Sequence, residues 1–248
     1  MAQGTSGILS HPASLETFTA NDSAWDLGAA ADGTMFALQA NATTEIRSAD
    51  FSLATIPANP ELAKISARVQ VPGVTLHPSG ALVYQPFLTG PAGSAGVKGG
   101  VDILDAHSGA LRLRILLPQQ FMTDVDGLHL SFLATDENGQ RLFAITSKDG
   151  TAQNAGITIV TLANVPIGIG TLTPANGPVS GGATLTIRGS GFQTGTTVTI
   201  GGKAATIAFK DMNTLTVVTP ALAAGTQRVT ITNPDGETIS LDAAFLAN

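Results

Sequence analysis

The last third of the chain alternates. Thr184-Leu185-Thr186-Ile187-Arg188, Thr197-Val198-Thr199-Ile200, Thr214-Leu215-Thr216-Val217-Val218 and Arg228-Val229-Thr230-Ile231-Thr232 place aliphatic groups at every second position, with hydroxyls or charges between. A period of two sends the aliphatic groups to one face of an extended strand and the polar groups to the other, so each run predicts a half-buried strand. Gly181-Gly182, Gly201-Gly202, Ala223-Ala224-Gly225 and Asn233-Pro234-Asp235-Gly236 separate the runs with turn-forming residues. Short strands at this spacing over about 80 residues describe a small sandwich of two sheets.

The first two thirds repeat more loosely. Ala31-Asp32-Gly33-Thr34-Met35-Phe36-Ala37-Leu38, His77-Pro78-Ser79-Gly80-Ala81-Leu82-Val83-Tyr84 and Glu137-Asn138-Gly139-Gln140-Arg141-Leu142-Phe143-Ala144 share one pattern. A polar-glycine turn is followed, two or three residues on, by a hydrophobic pair, which is a strong short-range hairpin signal. Further strands follow each hairpin: Thr44–Ser48 after the first, Val101–Asp105 and Ala110–Leu116 after the second, Gly156–Leu162 after the third. The unit is therefore four short antiparallel strands, with Gly33, Gly80 and Gly139 spaced by 47 and 59 residues.

At these residues the first part resembles the blades of YVTN-type and related bacterial surface β-propellers. The resemblance implies a partial propeller of about three blades over residues 1–165. Propellers close with four to eight blades, so three leave open edges. Further blades and a signal peptide are therefore expected ahead of Met1, and Phe36, Leu38 and Ile46 are expected to be poorly covered. The second part resembles an IPT/TIG domain, an immunoglobulin-like fold, over residues 166–248. The matching residues are Leu172-Thr173-Pro174, Gly177-Pro178, Gly181-Gly182, Ile187-Arg188-Gly189-Ser190-Gly191-Phe192, Val198-Thr199-Ile200-Gly201-Gly202, Val218-Thr219-Pro220, Asn233-Pro234-Asp235-Gly236 and Phe245. The fold class is thus all-β: a partial propeller-like array followed by an immunoglobulin-like sandwich.

Composition narrows the function. Of 248 residues only 12% are charged, the net charge is −6, and there is no cysteine. Without cysteine there are no disulfides, thiol nucleophiles or cysteine zinc sites. Nucleic acid calls for a basic surface. The nearest approach to one is Arg112 with Arg114, while Arg188, Lys203, Lys210 and Arg228 are scattered among Asp211, Asp235, Glu237 and Asp242. No apolar run reaches the ~20 residues that span a bilayer as a helix, so membrane insertion is not expected. The start, Met1-Ala2-Gln3-Gly4, has no basic or apolar leader.

Candidate chemistry reduces to ordinary structure. Asp124, Asp126, Asp136 and Glu137 are the densest carboxylates, yet Asp124-Val125-Asp126-Gly127 turns apolar where a calcium loop needs more oxygens. His11, His77, His107 and His129 have no partner at zinc-ligand spacing. Ser79 and Ser108 stand near His77 and His107, but in turns and without a nucleophile elbow. Gly189-Ser190-Gly191-Phe192 lacks the lysine and helix of a phosphate loop, and reads as a strand end with Phe192 plugging a core. Trp25 and Tyr84, single of their kinds, read as core residues. Asn21-Asp22-Ser23 and Asn41-Ala42-Thr43 are sequons in form only.

No catalytic, cofactor-binding or metal site is expected. The expectation is a non-catalytic extracellular or cell-surface binding protein. The propeller would present a face to a protein or carbohydrate ligand, the sandwich would act as spacer or adhesion module, and open strand edges would allow self-association. The alternative is an accessory region of a secreted polysaccharide-acting enzyme.

Overall fold

The computed structural model describes residues 6–11, 14–19, 24–30, 35–40, 43–48, 53–56, 73–122 and 132–248. Up to Ile56 the description is of strands and their pairing. The side chains of Phe36, Leu38, Ile46, Trp25 and His11, both sequons, and Asp124, Asp126 and His129 lie outside the described residues.

β1 (Ser6–His11) and β2 (Ser14–Thr19) form an antiparallel pair. Two four-stranded meanders follow. β3 (Ala24–Ala29), β4 (Met35–Ala40), β5 (Thr43–Ser48) and β6 (Leu53–Ile56) make the first; β7 (Thr75–Leu76), β8 (Leu82–Leu88), β9 (Gly99–Asp105) and β10 (Leu111–Leu116) make the second. The third sheet differs. β12 (Leu133–Thr135), β13 (Arg141–Ser147) and β14 (Ala155–Thr161) form a meander of three, while β11 (Gln120–Phe121) pairs with β13 beyond the end of β12. The place of a fourth strand beside β14 has no occupant among the described residues. Successive sheets meet through their first strands, with β7 against β3 on one side and β12 on the other.

Each sequence repeat falls on the same link of its unit, the turn between first and second strand. His77–Leu82 and Asp136–Arg141 close alike: the first residue's N–H donates to the carbonyl five positions on, and the glycine N–H returns to the first carbonyl. All seven residues of β8 and all seven of β9 are buried. A strand covered on both faces needs no alternation, which is why Leu82–Leu88 reads as a nearly continuous apolar run. Pro86 is tolerated because β7 begins only at Thr75, opposite Tyr84, so beyond that residue β8 pairs with β9 alone. Asp102 is buried, and its carboxylate receives Arg114 Nε at 2.6 Å and Nη2 at 2.9 Å from the opposite residue on β10. Without that guanidinium the buried charge would be strongly unfavourable.

From Gly168 the chain makes nine strands in two sheets. These are β15 (Gly168–Thr173), β16 (Asn176–Gly177), β17 (Thr184–Ser190), β18 (Thr197–Ile200), β19 (Lys203–Ala204), β20 (Thr206–Asp211), β21 (Thr214–Val218), β22 (Gly225–Thr232) and β23 (Thr238–Ala247). One sheet runs β15-β17-β21-β20, the other β16-β23-β22-β18-β19, with β16 parallel to β23. The four alternating runs become β17, β18, β21 and β22, and their aliphatic residues meet between the sheets. Leu185, Ile187, Val198, Ile200, Leu215, Val217, Val229 and Ile231 form one buried core with Phe192 and Phe245. β20 and β23 were not predicted by alternation. β20 is the edge of its sheet and β23 has only the two-residue β16 outside it; Phe209 and Leu246 remain part-exposed there, and the period of two is diluted.

Candidate functional site: a closed end and an open end of the sheets

The turns at one end of the second and third sheets are held from within. Ser79 N–H donates to His77 Nδ1 at 3.2 Å, and Ser79 Oγ lies 2.8 Å from the same nitrogen. Nδ1 is therefore the acceptor, leaving Nε2–H to donate to the Asn138 carbonyl at 3.1 Å in the next sheet's turn. His77 and Ser79 are both buried. The pair resembles a base and a nucleophile on paper, but its hydrogen bonds fix a turn. Burial lowers the His77 pKa from 6.5 to about 4, and the bond to Asn138 only partly offsets this. Tyr84 Oη donates to the Gly139 carbonyl at 3.4 Å, and burial raises its pKa. Gly139 has φ of +67°, and a Cβ there would lie 2.3 Å from His77 Cδ2. The turn of the third sheet can sit on the second only because this residue has no side chain.

The sandwich covers the same end. The Asn213 amide, in the turn between β20 and β21, lies 3.3 Å from Asn138 Oδ1. Its Oδ1 is the buried side-chain oxygen without a partner among the described residues. His107 Nε2 donates to the Gly170 carbonyl at 3.2 Å. Arg112 Nη2 reaches Glu237 Oε1 at 2.7 Å, and the same oxygen accepts the Ile167 N–H at 3.3 Å. A Cβ on Gly170 would lie 2.0 Å from the Ser79 carbonyl oxygen, so the two backbones approach as closely as glycine permits.

The other end is open. The β8–β9 loop, residues 89–98, is closed by Thr89 N–H on the Lys98 carbonyl at 2.9 Å, and by Lys98 N–H on Thr89 Oγ1 at 2.9 Å. Gln120 Oε1 anchors it through the Gly93 N–H at 2.9 Å. A Cβ on Gly93 would sit 3.7 Å from the Asp149 carbonyl, so the β13–β14 loop lies alongside. There the Asp149 carboxylate accepts bonds from Thr151 Oγ1 at 2.7 Å, Thr151 N–H at 3.0 Å, Asn154 Nδ2 at 2.6 Å and Ser147 Oγ at 3.1 Å. These bonds, with Thr151 first, hold its pKa at about 2. Residues 91–96 and 152–154 are exposed, all small or uncharged polar.

The sequence candidates are thereby placed. His77, Ser79 and Tyr84 meet at the closed end. His107 joins the sandwich, while Ser108 donates to Asp105 Oδ1 within its own turn. Asp136 accepts the Arg141 N–H across its turn, and Glu137 is exposed. Arg112 and Arg114, the nearest thing to a basic cluster, each bind a carboxylate. Arg228 pairs with Asp242, and Lys203 Nζ donates to the Ala221 carbonyl. Among the described residues no group of three histidines or acids could hold a metal ion. Glu237, Asn138 and Asn213 carry the junction and were not singled out from sequence; Glu237 directly follows a motif that reads as a turn and nothing more.

The C-terminal part is an immunoglobulin-like sandwich of two antiparallel sheets with one parallel edge pair. Its residues 166–246 match the IPT/TIG domain family model, and this segment is an IPT/TIG domain. No curated protein matches the chain. Among solved structures, the chain is similar to the extracellular domain of a hybrid two component system from B. thetaiotaomicron (13% identity, 98% of this chain, 35% of that one, TM-score 0.37). It is also similar to a gamma-CGTase from Alkalophilic bacillus clarkii (16% identity, 67% of this chain, 24% of that one, TM-score 0.33). A third similarity is to the extracellular region of plexin A4 (14% identity, 75% of this chain, 19% of that one, TM-score 0.31). The chain spans from about a fifth to about a third of the length of these proteins.

Proposed function

We propose that this chain is a non-catalytic binding or scaffold protein of the extracellular or cell-surface space. The open loop end of the sheet array contacts a protein or carbohydrate ligand, and the IPT/TIG domain serves as a rigid spacer. One observation carries the reading: the sandwich closes the end bearing turns 77–80, 105–110 and 136–140. The loops at 89–98 and 148–154 are left as the surface where sheet ends meet solvent. Loops on a rigid β-scaffold are where recognition residues concentrate. The IPT/TIG domain and the blade-like repeats support the location. Among the described residues no helix is long and apolar enough to cross a membrane.

The test uses the full chain against immobilised polysaccharides and extracellular-matrix proteins, compared with a variant carrying Ser94→Trp and Thr151→Trp. Both substitutions lie on exposed or half-exposed loop positions. Binding by the parent chain that is lost in the variant is the expected result. Binding that survives both tryptophans but disappears with Arg228→Glu on the sandwich would overturn the assignment of the surface.

Nucleic acid is not the ligand on this reading. The net charge is −6, and Arg112, Arg114 and Arg228 each already face a carboxylate, so no excess of positive charge is there to displace counterions. Fluorescence anisotropy should show no duplex binding at physiological salt. A micromolar affinity with a steep salt slope would contradict it.

A further inference from the structure

Among the described residues β14 is the outermost strand of the third sheet, paired with β13 alone. It occupies the position that β5 and β9 hold in theirs, but β6 and β10 have no counterpart beside it among the described residues. Its sequence, Ala155-Gly156-Ile157-Thr158-Ile159-Val160-Thr161, contains no charge and no proline. Natural edges are usually blunted by one or the other, because unpaired N–H and C=O groups invite another strand. Ile157 is 72% exposed and Ile159 60%, the two most exposed large hydrophobic side chains among the described residues. Their register partners on β13, Ile145 and Phe143, extend the apolar face and are only half-buried. Gly156, Thr158 and Val160 face the other way, where Thr158 Oγ1 meets Thr146 Oγ1 at 2.6 Å and Val160 joins the core.

We infer that β14 is a self-association edge, at which a second copy of this chain adds its own β14 antiparallel to the first. The strand is complementary to itself in one register. A two-fold axis through Thr158 sets Ile157 opposite Ile159 of the partner copy, twice, on the apolar face. The same axis sets Thr158 opposite Thr158, and Gly156 opposite Val160, on the other face. No like charges meet, and the apolar pairs fall where cross-strand contacts stabilise a sheet. Such an interface is isologous and closes at two copies. It fills the fourth place, which no strand among the described residues takes. This inference stands apart from the ligand surface proposed above, which lies on the loops, so either can fail without the other.

The absence of cysteine provides a direct test. Light scattering on the full chain should give twice the monomer mass of 25.1 kDa, and Ile159→Lys should return it to the monomer with its far-ultraviolet circular dichroism unchanged. For register, Ile157→Cys and Ile159→Cys chains are exposed to oxidant each alone and, in a third sample, after mixing. Disulfide dimers are expected only from the mixture, because 157 meets 159 directly. Residues 157 and 157 of the two copies are diagonal, about 7–8 Å apart and beyond easy bridging. A parent chain that remains monomeric, a dimer indifferent to Ile159→Lys, or efficient crosslinking of either single variant alone would each overturn the proposal.

Discussion

Phe192→Ala is expected to destabilise the sandwich by about 3–5 kcal/mol, the range for deleting a buried aromatic ring. The ring is 3% exposed and belongs to the core between the two sheets. It lies so close to Gly189 that a Cβ there would be 2.3 Å from its Cζ. The backbone on either side is fixed, with the Phe192 N–H on the Met212 carbonyl at 2.9 Å. A side chain at Gly191, where φ is +66°, would meet the Val165 carbonyl at 2.2 Å. Backbone held this tightly cannot collapse into the cavity, which favours the upper part of the range. Phe209→Ala on edge strand β20 is the control: that ring is 36% exposed, and its loss should cost well under half as much. Urea melts of the full chain and both variants, followed by far-ultraviolet circular dichroism, decide the matter. A loss below ~1 kcal/mol for Phe192→Ala would remove the ring from the core.

The second large effect is on acid stability, through His77. Its pKa is lowered from 6.5 to about 4 in the folded chain, chiefly by burial. As pH falls below 6.5 the unfolded chain takes up this proton first, so unfolding is increasingly favoured until the folded chain protonates near pH 4. Stability tied to His77 is therefore complete above pH 6.5 and declines through that window, by about 3 kcal/mol in all. Protonation of Nδ1 would also convert the acceptor of the Ser79 N–H into a donor, breaking the turn that Asn138 and Gly139 rest on. Carboxylates add their own pH dependence, so the measurement is the difference between the parent chain and His77→Gln. The two urea midpoints should converge as pH falls from 7 to 4.5. Parallel profiles would mean that the imidazole does not stay neutral in the fold.

Much of the fold was legible because its signals are local. Each alternating run in the sandwich is a strand whose apolar set must reach one face, and a slip by one residue would reverse it. The polar-glycine turns were equally plain, since positive φ at Gly80 and Gly139 is a property of the turn itself. The IPT/TIG resemblance rested on several such turns and strands in fixed order, and it held over residues 166–246.

What the turns do was not legible. His77-Pro78-Ser79-Gly80 and Glu137-Asn138-Gly139 read as separate hairpin tips. Only the stacking of sheets brings Asn138 to the His77 ring and Gly139 to Tyr84. Glu237 followed a turn motif in the last domain, and Arg112 stood 125 positions earlier as half of a weak basic pair. Their salt bridge exists because the sandwich docks on the sheet ends. Gly156–Leu162 reads as a further strand of the third repeat, with neither face assigned. Tertiary structure decided that one face would carry Ile157 and Ile159 into solvent. The sequence by itself determined strands, turns and the sandwich core, because periodicity and backbone propensity act within a few residues. Which turns are buried, which charges are paired and which strand edge stays open depend on contacts between distant segments, and those were settled only when the sheets packed.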